Sequence, residues 1–100
     1  MVKRLSQLLQ NYKNKRGIKI TVKDFIEKID DNFCNIDIYI LNETYVTIDK
    51  FPCYIKGKYN ETYLTDCINK YGNNKICHKG IMISPTEYDD NIAIEIRIER

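Results

Sequence analysis

Ile92-Ala93-Ile94-Glu95-Ile96-Arg97-Ile98-Glu99 decides the fold. Isoleucine stands at every second position, with Ala93, Glu95, Arg97 and Glu99 between. Side chains on a strand alternate between faces, so this stretch is a strand with one apolar and one polar side. Such a strand belongs in an antiparallel sheet covered on one face and open on the other. Ile36, Ile38 and Ile40 alternate in the same way with Asp37, Tyr39 and Leu41. Asn42-Glu43 follows as a hairpin turn. Tyr45 to Phe51 then continues with Val46 and Ile48 on one face and Tyr45, Thr47 and Asp49 on the other. Pro52 stops that strand or confines it to an edge. Lys75 to Ser84 is a further strand, strongest at Ile81-Met82-Ile83, and Pro85 to Asn91 is a turn. Asn91 to Glu99 is a candidate exposed edge that a second copy would pair with. Glu95, Arg97 and Glu99 discourage indiscriminate pairing, so the expected state is a monomer or weak dimer.

Between the strands lie segments of helical period. Leu5, Leu8, Leu9 and Tyr12 form one apolar stripe over Val2 to Arg16, and Gly17 is a natural stop. Thr21 with Asp24 three residues later is a variant capping box, opening a helix over 22–30 with Val22, Phe25, Ile26 and Ile29 on its apolar face. Cys53 to Lys58 is extended, closing at Gly57. Asn60 or Thr62 caps another helix over 61–71, whose apolar face is Leu64, Cys67, Ile68 and Tyr71. The order is α-α-β-β-α-β-β. These elements predict a two-layer α+β domain: an antiparallel sheet of about four strands with the helices on one face.

A chain of 100 residues fits one domain, 1–100, with 1–17 as a basic amphipathic helix that packs loosely. Apolar residues make up 43% and charged residues 30%, which excludes a disordered chain. No apolar run approaches the roughly 18–20 residues that cross a bilayer. Without a secretory pattern at the start, a cytoplasmic protein is expected. The four cysteines, Cys34, Cys53, Cys67 and Cys77, are then expected as free thiols.

The net charge of +2 hides an asymmetry. Residues 1–23 carry seven basic side chains and no acidic one, while the other 77 carry 9 basic and 14 acidic. Lys3, Arg4, Lys13, Lys15, Arg16 and Lys19 are therefore candidate contacts for phosphates or an acidic partner, with Tyr12 able to stack on a base. The competing reading is a solvated helix face that balances the acidic remainder. No helix-turn-helix pattern or zinc-finger spacing favours nucleic acid.

Catalytic and metal-site patterns are weak. No two cysteines lie within five residues, and Cys77-His78 on a strand point to opposite faces, so a zinc site is not expected. His78 is the sole histidine, without a nucleophile signature around it. Asp30-Asp31 and Asp89-Asp90 are adjacent in sequence, which suits turns better than facing catalytic carboxylates. There is no phosphate loop, nucleophile elbow or calcium loop. The sequence thus reads as non-enzymatic, with no cofactor and no metal. Its least ordinary feature is eight tyrosines. Tyr39 and Tyr45 fall on the polar face of the first hairpin, where exposed tyrosines beside charges serve as interface anchors. Codon bias and the strand preference of tyrosine compete with that reading. Ile, Lys, Asn and Tyr together supply 47 residues, the mark of a low-GC genome.

Three segments carry a resemblance: the capped helix Thr21-Val22-Lys23-Asp24-Phe25-Ile26-Glu27-Lys28-Ile29, the strand Ile36-Asp37-Ile38-Tyr39, and the pair Gly80-Ile81-Met82-Ile83-Ser84 and Ile92-Ala93-Ile94-Glu95-Ile96. From Thr21 onward the chain resembles small accessory proteins from phages and plasmids of low-GC bacteria, some of which block host defence, anti-CRISPR proteins among them. The resemblance implies a mobile-element inhibitor that docks on a host protein or ribonucleoprotein complex. A small nucleic-acid-binding module using the basic helix is the alternative.

Overall fold

The computed structural model describes residues 20–29, 36–85 and 92–99. The basic segment with Lys3, Arg4, Lys13, Lys15, Arg16 and Lys19, together with Cys34 and both Asp-Asp pairs, lies outside the described residues. The elements run α1 (Val22–Glu27), β1 (Ile36–Leu41), β2 (Thr47–Phe51), β3 (Tyr54–Ile55), β4 (Lys58–Tyr59), α2 (Tyr63–Tyr71), β5 (Ile76–Pro85) and β6 (Ile92–Ile98). This is the expected α+β architecture.

A helix of six residues cannot stand alone in water. The capping box at Thr21 holds the start of α1: the Asp24 N–H donates to Thr21 Oγ1 at 3.2 Å, and the Thr21 N–H donates to Asp24 Oδ2 at 3.3 Å. The next two orphan donors, Val22 N–H and Lys23 N–H, reach the carbonyls of Asn74 and Gly72 at 3.0 Å each. The positive end of α1 thus meets the carbonyl end of α2, an arrangement favoured by both helix dipoles.

The main sheet has the order β2-β1-β6-β5. β1–β2 and β6–β5 are antiparallel, as expected for the whole sheet, but the central pair β1–β6 is parallel, which makes the sheet mixed. The expected edge position of the last strand is also overturned. β6 is flanked on both sides, and Ile94, Ile96 and Ile98 have no solvent exposure. A strand with so many isoleucines gains most from burial at the centre, at about 25 cal/mol per Å² of apolar area. Ile38, Ile40, Ile94, Ile96 and Ile98 face Val22, Phe25 and Ile26 of α1 and Tyr63 and Cys67 of α2 in one core.

Asp49 departs from its expected place with Tyr45 and Thr47. A bulge between Ile40 and Leu41 in the β1–β2 register pairs Ile40 with Asp49 but Leu41 with Thr47. The extra residue turns Asp49 to the helix side. There it meets Lys70 Nζ at 2.6 Å and accepts from Tyr71 Oη at 2.9 Å and from the Lys50 N–H at 2.8 Å. The Lys70 ammonium is the main cause holding the Asp49 carboxyl below its ordinary 3.8. A depressed carboxyl stabilises the fold fully above that ordinary value and loses its contribution as pH falls through the lower folded value. Asp49→Asn is therefore expected to shift the urea midpoint down at pH 7, with the gap to the parent closing as pH falls below that ordinary 3.8. Lys70 is solvent-exposed, so salt screens part of the effect.

Candidate protein-binding face

With the helices on one side, alternation sends Asp37, Tyr39, Leu41, Lys50, Glu95 and Arg97 to the other. Register lays Lys50, Tyr39, Glu95 and Met82 in a row across all four strands. Lys50 Nζ sits 5.2 Å from the centre of the Tyr39 ring. The next row holds Leu41 beside Arg97, and Leu41 is buried although it faces away from the helices.

The β1–β2 turn is organised by Asn42. Its Oδ1 accepts from the N–H of Thr44 at 2.9 Å, from the N–H of Val46 at 3.0 Å and from Thr44 Oγ1 at 2.8 Å. The Tyr45 N–H donates to the Asn42 carbonyl at 3.1 Å. Closing the turn this way places Tyr45 at φ 66°, a left-handed conformation that a bulky residue rarely adopts. Its ring lies under the guanidinium of Arg97, whose Cζ is 4.4 Å from the ring centre. Arg97 also donates from Nη1 to the Glu43 carbonyl at 3.2 Å and from Nη2 to the His78 carbonyl at 3.1 Å. One side chain on the central strand thus fastens the β1–β2 turn to β5. Its Nε is buried and finds no acceptor among the described residues.

On the far side, β5 has a register irregularity between Ile76 and Ile81. Lys79 within it takes φ 53°. Gly80 allows the strands to close: a Cβ there would stand 2.7 Å from the Cys77 carbonyl oxygen and 2.8 Å from that of Arg97. Tyr45, Arg97, Leu41, Lys79, Gly80 and Met82, with Glu95, line one shallow depression. Tyr45 is 62% exposed, Val46 56% and Met82 46%. Val46, expected on an apolar face, is instead displayed at the end of this turn. Tyrosine, methionine and arginine are the residue types enriched at protein interfaces, while lysine and glutamate are commoner at the rim.

Tyr39 and Tyr45 therefore share the outer face, Tyr39 half-buried and Tyr45 displayed. Arg97, Met82 and Val46 were not singled out from the sequence. The alternation did put Arg97 on the polar side, but its partners come from a turn and a strand distant in the chain. The cysteines belong elsewhere. Cys53 and Cys67 are buried in the core, Cys77 is half-buried, and no disulfide joins these three. Burial pushes the Cys67 thiol up to about 12, so it packs as a small apolar group. His78 is exposed on β5. Among the described residues no group of three His, Cys, Asp or Glu side chains is placed to hold a metal ion, and no helix is long and apolar enough to cross a membrane. The chain has no significant match to a protein-family model, to a curated protein or to a solved structure.

Proposed function

We propose that this chain is a non-enzymatic binding protein that docks on a partner protein through the outer face of its sheet. The observation that carries the reading is Tyr45: a large ring displayed to solvent, on a strained backbone, pre-oriented by Arg97. Left-handed conformations at non-glycine residues cost of order 1–3 kcal/mol and cluster where a side chain must be aimed. A rigid aromatic anchor also loses little entropy on binding. Lys50, Lys79 and Arg97 stand against Asp37 and Glu95 on this face, a small basic excess, so the docking patch on the partner would be apolar with a mildly acidic rim.

The partner we infer is a nucleic-acid-handling defence complex of a low-GC host, met in the host cytoplasm. Support for that step is the resemblance of the segments from Thr21 onward to phage and plasmid accessory proteins, together with the low-GC composition. The test is phage restriction in a low-GC bacterium with an active CRISPR system. Expression of the chain is expected to relieve restriction, and Met82→Glu, at an exposed position, is expected to restore it at least tenfold. Unrelieved restriction, with no binding to the purified complex, would remove the defence reading. Equal activity of Met82→Glu would remove the outer face as the docking surface.

A further inference from the structure

A second exposed cluster lies apart from that face. Tyr54-Ile55-Lys56-Gly57-Lys58-Tyr59 forms a minimal hairpin in which Tyr54 pairs with Tyr59 and Ile55 with Lys58. Its turn residues, Lys56 and Gly57, take φ 52° and 79°. Positive φ at both centres marks a type I′ turn, the two-residue form whose twist matches the strands. Glycine suits such a position and lysine does not, so Lys56 holds its charge at the tip against backbone preference.

So short a hairpin is marginal without anchorage. Here the Asn60 N–H donates to the Cys53 carbonyl at 2.7 Å, and Asn60 Nδ2 donates to the Pro52 carbonyl at 3.2 Å. The Cys53 N–H donates to Asp37 Oδ1 at 2.9 Å, tying the hairpin base to β1. The Tyr54 and Tyr59 rings meet edge to face at 5.9 Å, and Tyr59 meets Tyr63 of the core at 6.3 Å. The ring ladder is thus fixed at its inner end and exposed at its outer end, where Tyr54 is 41% and Tyr59 47% accessible. Lys56 and Lys58 are exposed and form no ion pair with a described residue.

We propose that this hairpin binds single-stranded nucleic acid. Aromatic rings offer stacking surface to unpaired bases, and adjacent lysines neutralise the phosphates that join them; the combination is the common basis of sequence-tolerant single-strand binding. Its pre-set geometry means that neither the turn nor the ring pair must be ordered on contact. A membrane surface fits less well, because Ile55 is the only aliphatic side chain at the tip and interfacial binding scales with buried apolar area. The inference is independent of the outer-face reading, since Tyr59 stacks on the helix layer.

Fluorescence anisotropy of the full chain with a labelled oligothymidylate tests it, with poly-glutamate and the matching duplex as comparisons. Single strand is expected to bind more tightly than duplex or polyanion. Lys56→Asn with Lys58→Gln removes both charges, and asparagine tolerates the left-handed turn. This variant is expected to lower the slope of log affinity against log salt by about 1.4, at roughly 0.7 per phosphate on a single strand. Tyr54→Leu is expected to weaken binding about tenfold with the slope unchanged, the signature of lost stacking. Circular dichroism of each variant checks the fold. A separate charge reversal of Lys13, Lys15 and Arg16 distinguishes the basic N-terminal segment. If folded hairpin variants bind as the parent does while that reversal abolishes binding, the proposal is overturned. Equal or tighter retention of poly-glutamate overturns it too, in favour of an acidic protein partner.

Discussion

Phe25→Ala is expected to lower the unfolding free energy by about 3–5 kcal/mol, the range for truncating a fully buried phenylalanine. Phe25 has no solvent exposure and lies in the one cluster that joins α1 to the sheet and α2. Domains of this size have roughly 5–15 kcal/mol in total, so the loss takes at least a fifth of the stability and up to nearly all of it. It corresponds to a fall in melting temperature of at least about 12 °C, at roughly 4 °C or more per kcal/mol. The position is sensitive because α1 is six residues long and has no stability of its own to spare. Its cap and its two donors to Gly72 and Asn74 act only while the helix is docked. Lys23→Ala, on the exposed side of the same helix, is the control and is expected to leave the melt nearly unchanged. A similar fall for both variants would mean that burial of Phe25 is not what holds α1 in place, since alanine is the better helix former at both positions.

Phe25 was legible as core from the sequence because the Thr21–Asp24 box fixes where the helix starts and hence which side chains share a face. The four long strands were legible for a related reason, since period-two alternation records burial directly. Alternation does not record which strand lies beside which. Ile36-Asp37-Ile38 and Ile94-Glu95-Ile96 look alike to a pairing partner, so nothing local distinguishes a parallel central pair from an antiparallel one, or a central β6 from an edge. The bulge beside Ile40 is equally silent, and it alone moves Asp49 from the tyrosine face to the helices. Tyr63 was missed as core because one aromatic at the start of a short helix has the same pattern whether buried or exposed. It packs into the shared core and meets Tyr59, brought to it by the hairpin, edge to face. The candidate face was half legible: Tyr39 and Tyr45 came from the strand pattern, whereas Arg97, Met82 and the Asn42-centred turn depend on contacts far apart in sequence.

Tyr45→Gly is expected to separate stability from binding. Three terms act on the fold. Glycine removes the cost of a left-handed tyrosine, of order 1–2 kcal/mol. It gives up the Arg97 stacking, about 0.5–1 kcal/mol at an exposed site. It also adds freedom to the unfolded chain, worth about 0.5–1 kcal/mol. The terms oppose one another, so the denaturation midpoint should stay within about 1 kcal/mol of the parent. Binding has no such compensation. A central aromatic anchor carries at least about 2 kcal/mol, so affinity for the proposed partner should fall roughly 30-fold. Because those terms nearly cancel, stability alone gives tyrosine no advantage over glycine at this φ, and a binding role would supply one. Paired measurements decide between the roles. A fall in stability well beyond 1 kcal/mol would make Tyr45 a structural clasp for the β1–β2 turn. Undiminished affinity would show that the partner does not read this ring. A stable variant that no longer binds assigns the strain to function, with Arg97 as the residue that positions the ring.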